Sequence, residues 1–166
     1  MKTAIQKVIG RRLWDSRGRP TVETEIVLQG GARGRAIAPA GASTGAAEAI
    51  DLRDGGESFG GNDVQTAVNA VNGEIAKLLA GQDAADQAGL DAAMIALDGT
   101  TNKARLGGNA LVATSMAIAH AAAAANELPL WRYLGGGERT IFCHCRRYRY
   151  LAAVLTPGAA SMCRTS

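Results

Sequence analysis

The chain has 166 residues, of which 47% are hydrophobic and 20% charged, a composition that fits a globular domain and excludes a disordered protein. The net charge of +3 is unevenly placed: residues 1–137 carry 13 Lys and Arg against 14 Asp and Glu (−1), and residues 138–166 carry five Arg against one Glu (+4). All three cysteines also follow residue 137. We predict a near-neutral domain over 1–137 and a basic, poorly structured tail over 138–166.

Neither a targeting segment nor a membrane span is expected. Basic side chains such as Lys7 and Arg12 interrupt the first residues, so they lack the continuous apolar stretch of a signal peptide. The most apolar run, residues 110–125, is shorter than the ~20 residues that cross a bilayer. The sequence therefore predicts a cytoplasmic protein.

The first 38 residues predict three strands. Runs at 3–13 and 21–28 are separated by the turn-forming residues 15–20, and the second run is rich in β-branched residues. Gly30 and Gly31 mark another turn before a third strand at 33–38. The pattern predicts an antiparallel three-stranded meander with one face covered.

A loop of small residues follows at 39–45. Gly41 and Gly45 flank Ala42, Ser43 and Thr44, so the backbone can approach a ligand closely. The two hydroxyl groups are possible ligands for a hard cation such as Mg²⁺. Composition alone favours an ordinary surface loop over a lid that covers a ligand.

The rest of the domain predicts helices. Their expected ranges are 46–53, 63–80, 84–96 and 109–126. Asp63 is the predicted N-cap of the second helix, and Leu90 and Met94 lie on one side of the third. The fourth is apolar almost all round, so we expect it and His120 to be wholly or partly buried. Strands followed by helices predict an α+β fold with the helices on one face of the sheet.

The tail contains two patterns that could indicate chemistry. Cys143, His144 and Cys145 are adjacent, but zinc sites use a wider spacing and a matching second pair, and only Cys163 remains. Residues 146–150 alternate Arg with Tyr, which could bind phosphates and stack on bases. We favour a solvated extension over a metal site or a nucleic-acid patch.

Six segments in order resemble those of enolases. They are DSRGRPTVE (15–23), GASTG (41–45), EA with LRDG (48–55), DGTTNK (98–103), LGGNA (106–110) and PLWRYLGG (129–136). Together they span about residues 3–136, and they resemble the N-terminal lobe of an enolase. Arg19 and Ala40 depart from the family pattern, which has Asn and Ser there.

The resemblance implies a phosphopyruvate hydratase, which converts 2-phosphoglycerate to phosphoenolpyruvate and water in glycolysis with two Mg²⁺ ions. It implies that Ser43 helps bind the second Mg²⁺ when the loop 41–45 closes over the substrate. It also implies a homo-oligomer in which Arg11 and Glu23 contact the neighbouring subunit. The proton-abstracting Lys, the assisting Glu and the ligands of the first Mg²⁺ belong to a C-terminal barrel.

Nothing after Gly137 resembles that barrel. The resemblance therefore implies a fragment without catalytic residues that is inactive alone and does not bind Mg²⁺ alone. The alternative is a non-catalytic binding module whose basic tail contacts nucleic acid or an acidic partner.

A shifted reading frame explains the composition of the tail more simply than a function does. Read from the third base of the Cys143 codon, permitted codons for residues 143–166 encode PLPEIQIFGGGAHAGRRVDVQDF. Enolases continue after RYLGG with a similar stretch. We infer that an insertion or deletion of one or two bases near residues 140–141 shifted the reading frame.

Overall fold

The computed structural model describes residues 2–38, 45 and 48–135. The chain divides into two compact units, Met1–Leu130 and Trp131–Ser166. The predicted boundary near Gly137 and every prediction for the tail lie outside the described residues.

The first unit contains a meander followed by helices, so the predicted α+β class is confirmed. The strands are β1 (Ile5–Trp14), β2 (Pro20–Leu28) and β3 (Arg33–Ile37). The α-helices are α1 (Gln65–Ala70), α2 (Ala76–Leu79), α3 (Gln87–Asp98), α4 (Gly108–Ala125) and α5 (Leu130–Leu134), the last of which runs into the second unit. A π-helical segment, Val71–Ile75, joins α1 to α2, and a short 3₁₀ turn lies at Ser58–Gly61.

The three strands form one antiparallel sheet in the order β1-β2-β3, as predicted. The turn between β1 and β2 is fixed by Asp15, whose Oδ1 accepts hydrogen bonds from the backbone N–H groups of Arg17 and Arg19, both at 2.8 Å. Gly18 adopts a left-handed conformation there, with φ of 71°. Turn chemistry visible in the sequence therefore sets the register of the sheet.

The core lies between this sheet and α4. The side chains of Val22, Ile26 and Leu28 in β2 are fully buried. Gly34 lets β3 approach α4 closely, since a Cβ at this position would lie 2.1 Å from the backbone nitrogen of Ala121. A side chain on Gly34 would therefore collide with the helix backbone.

Helix α4 is buried as predicted, apart from the Val112 and Met116 side of the helix. Among the described residues it is the one helix long and apolar enough to cross a membrane by length and composition, and 61% of it is buried. Its burial against β2 and β3 explains its apolar character as that of a core helix. His120 is exposed, so its predicted burial is wrong.

The predicted helix at 63–80 exists, but its predicted cap is wrong. Val64 is the N-cap residue, and the carboxylate of Asp54 accepts from the N–H groups of Gln65 (2.6 Å) and Thr66 (2.9 Å). The Asp63 carboxylate instead accepts from Arg12 Nη1 at 2.8 and 3.0 Å. Asp63 Oδ1 also accepts from the N–H of the cap residue Val64 at 2.8 Å, whereas Asp54 binds the N–H groups of the first helical turn.

The predicted helix at 46–53 is not present over its described part, residues 48–53. The Ile50 N–H donates to the Asn102 carbonyl at 2.8 Å, and the Ile50 carbonyl accepts from the Gly108 N–H at 2.7 Å. These groups would bond within the segment in a helix. Long-range backbone pairing therefore replaces local helical pairing.

Candidate functional site: the frame of the glycine-rich loop

The predicted substrate loop is described only at its end. Gly41, Ala42, Ser43 and Thr44 lie outside the described residues, and Gly45 is described and exposed. The structure therefore reports on the two stems that carry the loop, whereas Ser43 as a Mg²⁺ ligand stays a prediction.

The first stem is the chain leaving β3. Ala38 donates its backbone N–H to the Val22 carbonyl at 2.9 Å, and its carbonyl accepts from the Thr21 hydroxyl at 2.7 Å. Thr21 and Ala38 are both buried. Both backbone polar groups of Ala38 are therefore paired, which fixes the point where the loop begins.

The second stem is described at Gly45 and over residues 48–52, of which Ala49 and Ile50 lie against the start of α4. Gly45 accepts from the Glu48 N–H at 3.1 Å, and Gly108 bonds Ile50 as described above. A Cβ on Gly108 would lie 2.9 Å from the Ala49 Cβ, so this approach requires glycine. The family-like motif 106–110 thus supplies the surface on which the stem rests.

Asn109 binds the same stem by its side chain. Its Oδ1 accepts from the Leu52 N–H at 3.3 Å, and its Nδ2 donates to the Leu52 carbonyl at 3.0 Å. Oδ1 also accepts from the Ala110 N–H at 3.0 Å. An amide can donate and accept at once, which explains why Asn suits this buried position.

The turn at 98–106 places Asn102 beside the second stem, and Asp98 holds that turn together. Its Oδ1 accepts from the N–H of Thr100 at 3.0 Å and from its hydroxyl, and its Oδ2 accepts from the Leu106 N–H at 2.8 Å. Burial raises the pKa of Asp98, but the hydrogen bonds from Thr100 and Leu106 and the charge of Lys103 outweigh it, so the pKa is lowered overall.

Arg105 connects this turn to the long helical segment. Its Nε donates to the Asp98 carbonyl at 3.1 Å, and its Nη1 donates to both carboxylate oxygens of Glu74 at 3.0 and 2.9 Å. The pair is partly exposed, so its main contribution is orientation rather than stability.

The predicted subunit-contact residues lie on the outer face of the sheet. Arg11 and Glu23 face each other across β1 and β2, and Arg11 bonds Glu23 at 3.1 Å and Glu25 at 2.6 Å. Arg33 and Arg35 reach Glu25 and Glu23 at 3.4 Å from β3. These five residues form a charged ladder. The hydrogen bond from Arg11 lowers the pKa of Glu25, and the same hydrogen bond raises the pKa of Arg11.

A model of the N-terminal domain of enolase matches residues 5–134. The chain belongs to the enolase family. The match spans β1 through α5, so the whole described fold is that of an enolase N-terminal domain. It confirms the resemblance drawn from the six segments, four of which help to build the frame or the sheet.

The described part of this enolase domain does not make a metal centre. Within residues 2–38, 45 and 48–135, no three side chains of His, Cys, Asp or Glu lie close enough together to hold a metal ion. Mg²⁺ prefers six oxygen ligands, and Ser43 is the one ligand predicted for it in this chain. These residues do not fit Mg²⁺ on their own.

Two functional roles in the enolase domain escaped the sequence reasoning. The sequence motifs flagged Asp98 and Asn109 without assigning them partners, although Asp98 holds the turn and Asn109 binds the stem. Asp98 comes just before a glycine and Asn109 lies in the first turn of α4, positions at which an Asp or Asn side chain commonly bonds nearby backbone groups. The partners themselves, such as Leu52, are 57 residues away in sequence and become visible only in the fold.

Proposed function

We propose that this chain is the loop-bearing lobe of a phosphopyruvate hydratase of glycolysis, located in the cytoplasm. The enzyme converts 2-phosphoglycerate to phosphoenolpyruvate and water with Mg²⁺. The family match over residues 5–134 supports the family. The observation that carries the proposal is the frame: hydrogen bonds from the buried Thr21 and Asn109 side chains hold both stems of the loop that bears Ser43.

The frame gives the loop a fixed base. Ala38 is paired at one end and Ile50 at the other, so neither end needs to be ordered when substrate binds. In this proposal Ser43 would be one oxygen ligand of the second Mg²⁺, and the closed loop would exclude water from the reacting atoms. Mg²⁺ supplies charge stabilisation for the intermediate when it is bound.

The chain alone does not carry out the reaction in this proposal. The proton-abstracting Lys and the assisting Glu belong to the barrel of an enolase, and this lobe supplies neither. The whole enzyme is a homo-oligomer in which Arg11 and Glu23, already paired with each other, also contact the neighbouring subunit. The alternative of a binding module rests on residues 138–166, outside the described part of the chain, and no observation favours it.

A chimera tests the proposal. Residues 1–135 are joined to the barrel of an established enolase, and phosphoenolpyruvate formation is measured with 2-phosphoglycerate and Mg²⁺. We expect turnover by the chimera and none by the barrel alone. A correctly folded chimera without turnover would overturn the proposal.

Variants of the chimera test the loop. Ser43→Ala is expected to lower kcat/KM at least about tenfold and to raise the Mg²⁺ concentration needed for half activity. Ser16→Ala, in the exposed turn after β1, is the matched control and should leave both values unchanged. Equal effects of the two substitutions would remove Ser43 from the site.

A further inference from the structure

The two edges of the sheet differ, and the first edge is covered. On β1 the Ile5 N–H donates to the Gln82 carbonyl at 2.8 Å, and the Ile5 carbonyl accepts from the Gly81 N–H at 2.9 Å. Further along, the Asn72 side chain accepts from the Gly10 N–H at 2.8 Å and donates to the Gly10 carbonyl at 3.0 Å. Other parts of the chain thus occupy the outward backbone groups of β1 at two points.

The second edge, on β3, is open. Ala32 and Ala38 pair with β2, so alternation points the backbone N–H and C=O groups of Arg33, Arg35 and Ile37 away from the sheet. No residue in the described part of the chain hydrogen-bonds to these outward groups. A strand edge of this kind is a template for pairing with another chain.

This edge is held rigidly. Gly34 packs against the backbone of Ala117 and Ala121, and Ala36 is buried on the same side. A partner strand would therefore bind a preformed edge, and β3 would not have to become ordered on binding.

The side chains beside the edge select the charge of the partner. Arg33 and Arg35 have side chains 69% and 68% exposed, and Ile37 is 42% exposed. Arg33 Nη1 lies 3.4 Å from Glu25 Oε1, and Arg35 Nε lies 3.4 Å from Glu23 Oε2, so both contacts are long. Most N–H donors of the two guanidinium groups are therefore free for other acceptors. An acidic side chain on a neighbouring strand would lie within reach of each.

A second copy of the same chain fits poorly. A symmetric antiparallel pair centred on Arg35 would engage all three outward residues and would place Arg35 opposite Arg35. Like charges directly opposite each other destabilise a pair of strands. The charge of the edge favours an acidic partner over self-association.

We propose that the open edge of β3 binds an extended segment of a partner protein as a fourth strand, with acidic side chains at alternate positions facing Arg33 and Arg35. Backbone hydrogen bonds give the affinity, and the two arginines select the charge. The interaction is independent of the dehydration reaction and of Ser43.

The full chain is tested with a fluorescent peptide that alternates glutamate with threonine, by anisotropy. We expect saturable binding that weakens with salt, and about tenfold weaker binding of the same peptide with lysine for glutamate. A peptide N-methylated at every amide, which cannot donate along either edge, should not bind. No binding of the glutamate peptide, or equal binding of the N-methylated one, would overturn the proposal.

Two variants locate the binding. Arg35→Pro removes an outward N–H while sparing the β2–β3 bonds, as proline tolerates edge strands, and it should abolish binding. The double substitution Arg33→Gln and Arg35→Gln should reduce the preference for glutamate over lysine below about threefold. Circular dichroism checks that each variant folds. A preserved preference in the double variant, or concentration-dependent dimers in sedimentation that Arg35→Pro abolishes, would refute the acidic-partner assignment.

Discussion

Replacing Gly34 with alanine tests the closest contact of the fold. Gly34 is the second residue of β3, and an added Cβ would sit 2.1 Å from the Ala121 nitrogen and 2.2 Å from the Ala117 carbonyl oxygen. Both atoms belong to the backbone of α4, so no flexible side chain can move aside. The strand or the helix must shift for Gly34→Ala to fold.

The expected loss follows from that geometry. Overpacking a core commonly costs about 1–3 kcal/mol, and a backbone clash on two atoms belongs at or above the upper end of that range. We expect Gly34→Ala to lose about 3 kcal/mol or more of its free energy of unfolding. For a domain of this size, that loss lowers Tm by roughly 10 °C.

Urea unfolding followed by circular dichroism measures the effect. Gly73→Ala is the matched control, because Gly73 lies in the π-helical segment and a Cβ there meets nothing within 4 Å. Its free energy of unfolding should stay unchanged or rise by up to about 1 kcal/mol. A loss below about 1 kcal/mol for Gly34→Ala would refute the close packing of β3 on α4.

Three further predictions concern carboxylates. Asp98→Asn should lower the free energy of unfolding in urea by about 2–4 kcal/mol, because the single amide oxygen cannot accept all the hydrogen bonds that the carboxylate accepts. The control Asp91→Asn, on the half-buried side of α3, should lower it by under about 1 kcal/mol. Equal losses would contradict the role of Asp98. Asp54→Ala should lower the free energy of unfolding by about 1–2 kcal/mol and speed amide exchange at the start of α1. If exchange there were faster in Asp63→Ala but not in Asp54→Ala, Asp63 would be the cap after all. Burial raises the pKa of Asp54 and Asp98, but the hydrogen bonds that each accepts lower it by a larger amount. The folded pKa of each therefore lies below its unfolded pKa. The stability they confer is therefore complete above the unfolded pKa of about 4 and is lost as pH falls through the folded pKa; unfolding free energy that stays constant from pH 7 to pH 2 would contradict this.

The sequence predicted the parts of the fold that local chemistry determines. β-branched residues and the turn around Asp15 predicted the meander, and helical spacing of apolar residues predicted the helices after residue 63. The family-like motifs pointed to the residues that build the loop frame. In each case the decisive information lies within a few neighbouring residues.

Long-range pairing decided the rest. Residues 48–53 have a helical composition, yet Ile50 pairs with Asn102 and Gly108 instead. Asp54 caps a helix that begins 11 residues later, which a local capping pattern does not reveal. The need for glycine at Gly34 depends on Ala117 and Ala121 of α4, which are distant in sequence, so it appears only in the packed structure.

Phosphoenolpyruvate formation by the purified 166-residue chain tests the central claim most directly. The chain is incubated with 2-phosphoglycerate and saturating Mg²⁺, with an established enolase as the positive control. We predict a rate equal to that without protein, because in the proposed enzyme this lobe supplies the loop and its frame, whereas the proton-abstracting Lys belongs to the barrel. Turnover above that background, lost in Ser43→Ala, would show that the chain alone carries a complete active site and would contradict the claim.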